Sequence, residues 1–124
     1  MGRTIAVIDD DAFITDLYQR ALENAGFRVI VAADADQAMK LLAHEKPDLV
    51  LLDIIMPGQD GFEVLKAMQA SEDLKQIPVF VFSNLPQDGN EERARSLGAV
   101  EYMIKANTPP RTLLAKLNKT LSQQ

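Results

Sequence analysis

Acidic side chains collect where two apolar runs stop. Asp9, Asp10 and Asp11 follow Thr4 to Ile8, and Asp53 follows Leu49 to Leu52; Ser83 and the Ile104-Lys105 pair end two further runs. Two unit charges about 4 Å apart repel by roughly 4 kcal/mol at an effective dielectric of about 20, so carboxylates drawn together need a cation to stay ionised. Cysteine is absent, and the single histidine, His44, lies in a polar stretch beside Glu45 and Lys46, where solvent exposure or helix capping is expected. An oxygen-only donor set suits Mg²⁺ or Mn²⁺ and disfavours zinc. Beside such an ion a carboxylate can attack phosphorus and hold the phosphoryl group as an acyl phosphate, a largely positional chemistry. Asp53 is the best nucleophile candidate, since the loop after it, Ile54-Ile55-Met56-Pro57-Gly58, carries no competing carboxylate before Asp60. Lys105 would offset phosphoryl charge from one side, and the Ser83 hydroxyl would donate to a phosphoryl oxygen from the other.

These residues act together only if the fold brings them to one edge. Five β-branched or Leu-rich runs are expected as strands: Thr4 to Ile8, Phe27 to Val31, Leu49 to Leu52, Val79 to Phe82 and Val100 to Ile104. Most are continuously apolar, as in strands buried on both faces of a parallel sheet. Helical spacing fills the gaps. Ile14, Leu17, Tyr18, Ala21, Leu22 and Ala25 form one stripe closed by Gly26, and a second helix capped by Asp34 or Asp36 stops before Pro47. Phe62, Leu65 and Met68 mark a third, and Glu91 to Leu97, closed by Gly98, a short fourth. The last is expected to start at Thr108 as N-cap with Pro109 at the first helical position, presenting Leu113, Leu114, Leu117 and Leu121. This alternation predicts an α/β fold, a doubly wound, flavodoxin-like five-stranded parallel sheet in order 2-1-3-4-5 with five helices. Ligands then bind beyond the carboxyl ends of the strands, where the acidic residues stand.

Composition bounds the function classes. The 124 residues suit one domain, residues 1–124, and the 47% hydrophobic and 25% charged content suits a packed core. A formal charge of -5 with scattered bases argues against direct nucleic-acid binding. No run approaches the roughly 20 apolar residues of a membrane span, and no secretion signal is visible, so no membrane insertion is expected and a cytoplasmic location is the default rather than an inference.

At these positions the sequence resembles the receiver domain of two-component response regulators, over the whole chain. The stretches that carry it are Val7 to Asp11, Leu51 to Gly61 including Gln59, Phe82-Ser83, and Gly98 to Lys105. The resemblance implies Asp53 as phosphoacceptor, Asp9 and Asp10 as the magnesium-binding pair, and the Ile55 main-chain carbonyl as a further ligand. It assigns phosphoryl contacts to Ser83 and Lys105, and makes Tyr102 an aromatic switch residue following Ser83. The implied protein takes a phosphoryl group from phosphohistidine on a sensor histidine kinase or phosphotransfer protein. It catalyses its own modification and its reversal, with no separate substrate turnover. Its output is the face of the fourth helix, fifth strand and fifth helix, offered to an unidentified downstream protein.

Four positions depart from the family pattern. Ala106 stands where a cis proline usually follows the lysine, so either a strained peptide is kept or the loop is built differently. Asn84 replaces a very small residue after Ser83, and would narrow phosphoryl access or hydrogen-bond within its loop. Ile55 and Leu85 replace polar groups that help position hydrolytic water, which predicts a long-lived acyl phosphate. Asp11 is expected as a helix cap rather than a metal ligand. The Asp9-x-Asp11 pair also occurs in haloacid-dehalogenase-like phosphatases, but Phe13 breaks that motif. Flavodoxin-like nucleotide binding is opposed by three Asp where a phosphate would sit. A phosphorylation-independent interaction module is the remaining alternative, with Ala106 and Asn84 its best support.

Overall fold

Strand and helix alternate along the chain in a computed structural model that describes residues 2–58 and 60–123. The strands are β1 (Thr4–Ile8), β2 (Arg28–Ala32), β3 (Leu49–Leu52), β4 (Val79–Ser83) and β5 (Glu101–Ile104). The helices are α1 (Ala12–Asn24), α2 (Ala35–Glu45), α3 (Gly61–Gln69), α4 (Asn90–Ser96) and α5 (Pro110–Ser122). All strand pairs are parallel, in order β2-β1-β3-β4-β5, as the sequence predicts. Gln59, part of the loop motif, lies outside the described residues, as do the terminal Met1 and Gln124.

The continuous apolar runs are explained by two cores, one on each face of the sheet. Ala6, Ile8, Val50, Leu52, Val79 and Val81 face α2 and α3 through Ala38, Leu42, Leu65 and Met68. Their neighbours Ile5, Val7, Leu49, Leu51, Phe80 and Phe82 face α1 and α5 through Tyr18, Leu22, Leu113, Leu117 and Leu121. Successive strand residues point to opposite faces, so a strand covered on both sides must be apolar at every position. Each fully buried large apolar side chain stabilises the fold by about 1.5–3 kcal/mol.

The helix ends follow local chemistry, with some corrections to the sequence reading. Asp11, Asp34 and Asp60 cap α1, α2 and α3 by accepting backbone N–H bonds. The cap of α5 is Pro109, with Pro110 in the first turn; the Thr108 hydroxyl instead donates to Ile104 O at 2.8 Å. Strand β2 begins one residue later than expected, because the Phe27 N–H is bound to Leu22 O at the end of α1. Strand β5 likewise begins at Glu101, and Val100 is exposed. In α1 the buried stripe is Thr15, Tyr18 and Leu22, whereas Leu17 and Ala25 lie outside it. Helix α4 buries only Ala94, has no side-chain cap, and is held to α3 by the Arg93 guanidinium 4.0 Å from the centre of the Phe62 ring. No described helix is long and apolar enough to cross a membrane.

Candidate functional site

Parallel register assembles the site. Ile8 pairs with Leu52, and Ser83 with Ile104, so the residues that follow these pairs emerge side by side at the carboxyl edge. Ladder hydrogen bonds continue one step past the strands: Asp9 N donates to Ala32 O at 3.0 Å, and Asp53 N to Ile8 O at 2.9 Å. Both carboxylates therefore leave rigid backbone. Gly61 holds the loop after Asp53 from the other end, its N–H donating to Ile54 O at 2.8 Å. A Cβ on Gly61 would collide with the Asp53 carbonyl oxygen and stand 2.8 Å from Ile54 Cα, so only glycine permits this approach.

Carboxylate oxygens of Asp9, Asp10 and Asp53 lie within 4.8 Å of one another. Asp9 and Asp53 are buried, while Asp10 is exposed at the rim. Asp9 Oδ1 accepts from Asp11 N at 2.9 Å, and Asp53 Oδ1 from Ile55 N at 3.2 Å. Their other oxygens share one cation: Lys105 Nζ is 2.5 Å from Asp9 Oδ2 and 2.9 Å from Asp53 Oδ2. Asp11 stands apart, accepting from Phe13 N and Ile14 N as the cap the sequence predicts. His44 is exposed on α2, away from this cluster.

The electrostatics follow from burial and pairing. Desolvation pushes the Asp9 carboxyl above its ordinary range, and the bonds from Lys105 and Asp11 N oppose this only in part. Burial by itself favours the neutral amine of Lys105, but the bonds to Asp9 and Asp53 outweigh it and hold the ammonium above its usual value. One ammonium thus serves two carboxylates, and Asp10 adds a further oxygen donor. The donor set is hard, close-spaced and free of nitrogen or sulfur, which fits Mg²⁺. An open cleft of about 770 Å³ between Asp10, Asp34, Asp36 and Pro57 adjoins this cluster without including Asp53.

Ser83 is fully buried, and its Oγ accepts from Leu85 N at 3.2 Å, which leaves the hydroxyl hydrogen available to donate. Tyr102 is buried, with its hydroxyl donating to Leu85 O at 2.8 Å. Ile55 projects its side chain into solvent, 56% exposed, beside the amide that bonds Asp53. No described peptide bond is cis, so the loop at Ala106 is indeed built differently: Lys105 opens a short 3₁₀ turn, Lys105–Asn107. A proline at 106 would disfavour a helical Lys105, whereas alanine permits it. The Ala106 N–H that proline would lack donates to Asn84 Oδ1 at 3.1 Å.

Sequence reasoning missed Tyr18, whose hydroxyl donates to Thr108 O at 2.8 Å and so ties α1 to the loop after Lys105. Its ring meets Phe82 edge-on, with centroids 4.8 Å apart. Its place on an apolar stripe gave no sign of a polar partner 90 positions away.

Comparison with known proteins agrees with this geometry. The sequence pattern of the response regulator receiver domain matches residues 5–118. The chain is 33% identical over 121 residues to the phosphate regulon transcriptional regulatory protein PhoB of Pseudomonas aeruginosa, covering 98% of this chain and 52% of that protein. It is 37% identical over 120 residues to the transcriptional regulatory protein RstA of Escherichia coli, covering 97% and 48%. The chain therefore spans about half the length of these curated relatives. A CheY-like receiver domain protein of Methanospirillum hungatei superposes with a TM-score of 0.92 at 27% identity, covering 99% of this chain and 96% of that one. The BeF3-activated N-terminal receiver domain of Klebsiella pneumoniae RstA gives 0.87 at 35% identity, covering 95% and 97%. With the doubly wound sheet, the acidic edge and a family match across almost its full length, this chain belongs to the response regulator receiver domains of two-component signalling.

Proposed function

We propose that this chain takes a phosphoryl group from a phosphohistidine on a sensor histidine kinase or phosphotransfer protein onto the Asp53 carboxylate. One observation carries the reading: a single ammonium, Lys105 Nζ, joins Asp9 to Asp53 within a cluster that also includes the Asp10 carboxylate. An Asp53 oxygen attacks phosphorus, the phosphorus–nitrogen bond breaks, and the histidine leaves as imidazole. Asp9, Asp10, Asp53 and the Ile55 carbonyl would hold Mg²⁺, with Mn²⁺ an acceptable substitute, and the ion supplies charge neutralisation of the phosphoryl oxygens. Lys105 balances the same charge from the protein side, and Ser83 donates its free hydroxyl hydrogen to a phosphoryl oxygen. In dephosphorylation water attacks phosphorus, the phosphorus–oxygen bond to Asp53 breaks, and the Asp53 carboxylate is regenerated with release of inorganic phosphate.

Tyr102 communicates the change, because the β4–α4 loop it grips through Leu85 begins directly after Ser83, the last residue of β4. The output is the face formed by α4, β5 and α5, presented to a downstream protein. A phosphohistidine donor on a sensor kinase or phosphotransfer protein favours the cytoplasm as the compartment. The similarity to a BeF3-activated RstA receiver domain, at 35% identity, supports the reading.

The test is intact mass after incubation with acetyl phosphate and Mg²⁺, beside Asp53→Asn and a metal-free sample. One metal-dependent phosphoryl adduct, absent from the variant, is expected. No adduct, or an adduct that survives the substitution, refutes the assignment.

A further inference from the structure

Two residues that stand directly after the phosphoryl-contacting groups are bonded to each other. Asn84 follows Ser83, Ala106 follows Lys105, and Asn84 Oδ1 accepts from Ala106 N at 3.1 Å. The contact arises from register: Ser83 pairs with Ile104 at the last rung of the sheet, beyond which the ladder stops and the two loops part. Past that rung, the Asn84 side chain makes a backbone-like bond across the gap. We infer that Asn84 is a positioning residue that sets the Lys105 ammonium between Asp9 and Asp53, resting on the phosphoacceptor reading above.

The loop around Lys105 has four anchors. Thr108 N donates to Lys105 O at 3.2 Å, the Thr108 hydroxyl donates to Ile104 O at 2.8 Å, and Tyr18 donates to Thr108 O at 2.8 Å. All three act at or beyond the carbonyl of Lys105, or on the strand before it. Among the described residues, the Asn84 bond alone reaches from the Ser83 loop to the peptide that immediately follows Lys105. It is also the contact that places the two loops in a fixed relation, since Leu85 O is held by Tyr102 of β5 rather than by the Lys105 loop. Without it, the peptide after Lys105 is no longer tied to the residue after Ser83, and a side chain as long as lysine carries a small backbone rotation into a large displacement of its ammonium. A residue larger than usual at position 84 supplies an amide oxygen to the N–H that a residue other than proline leaves at position 106.

The experiment measures the rate of phosphoryl uptake from acetyl phosphate with Mg²⁺ in wild type, Asn84→Ala, Lys105→Met and the double variant, with the Ala106 amide followed by ¹H–¹⁵N NMR. Asn84→Ala should slow uptake about fivefold, move the Ala106 amide proton upfield and hasten its exchange. Asn84→Asp, which keeps an acceptor, should hold the Ala106 amide near its wild-type position. Because Asn84 acts through the ammonium, its substitution should change the rate by less than twofold once Lys105 is methionine. A wild-type rate in Asn84→Ala overturns the inference, as does an equal loss with and without Lys105. If wild type takes up no phosphoryl group, the phosphoacceptor reading fails first and the positioning role goes with it.

Discussion

Replacing Lys105 by methionine removes one charge from the centre of the site and keeps the length of the side chain. The Lys105, Asp9 and Asp53 side chains are 8%, 3% and 7% exposed, so solvent screens them poorly. The carboxylate oxygens lie within 4.8 Å of one another, a separation at which two unit charges repel by about 3.5 kcal/mol at an effective dielectric of about 20. Removing one partner of a buried ion pair costs about 3–5 kcal/mol in general, because the remaining charge is left uncompensated. The variant should therefore unfold about 3 kcal/mol more easily in EDTA at pH 7. With a urea dependence of about 1–3 kcal/mol per molar, the midpoint falls by about 1–3 M. Two controls separate charge from packing. Mg²⁺ should recover more stability in the variant than in wild type, since Asp9 no longer shares its oxygen with an ammonium. Acid should recover it as well: burial already raises the Asp9 carboxyl, loss of the opposing Lys105 bond raises it further, and the deficit closes as pH falls through that value. Urea titrations at several pH values, with and without Mg²⁺, make the measurement. A variant within about 1 kcal/mol of wild type in EDTA, about one third of the worked repulsion, or a deficit unchanged by acid, refutes the reasoning.

Gly61→Ala should destabilise the protein by about 1–3 kcal/mol and slow phosphoryl uptake, because the added Cβ meets the backbone of Asp53 and Ile54; thermal unfolding and adduct kinetics read both. Tyr18→Phe leaves the buried Thr108 carbonyl without its hydroxyl donor, at a cost of about 1–3 kcal/mol by denaturant unfolding. Burial raises the Tyr18 and Tyr102 phenols, and carboxylates raise Lys105, so all three hold protons more tightly when folded. Their stabilisation is complete below the ordinary values of 10.0 and 10.5 and is lost as pH rises through the raised ones, a slope that Tyr18→Phe should flatten in part. Ile55→Asn should shorten the lifetime of the acyl phosphate several-fold, since an amide at this exposed position can orient water where isoleucine cannot; a lifetime unchanged from wild type counts against that role for position 55.

The alternation of apolar runs and helical stripes pointed to a doubly wound parallel sheet, because a strand buried on both faces must be apolar throughout and crossovers are right-handed, and order 2-1-3-4-5 was its simplest form. Asp9, Asp10, Asp53 and Lys105 stood out as polar residues at the ends of apolar runs, and the fold gathers them at one edge. Asp11 read correctly as a cap because capping depends on neighbours two and three residues away. Contacts between distant loops were beyond reach. Ala106 and Asn84 looked like separate departures from a pattern, and only folding shows that the N–H of one is the partner of the other. Tyr18 looked like core, until the chain brought Thr108 O to its hydroxyl. Thr108 itself had the type and place of a helix cap, yet its hydroxyl found Ile104 O first. Local periodicity and end chemistry are written in consecutive residues, so the sequence determines the elements and which residues stand at their ends. Hydrogen-bond partners across loops depend on register and on how each loop turns, and those are decided only when the strands are laid side by side.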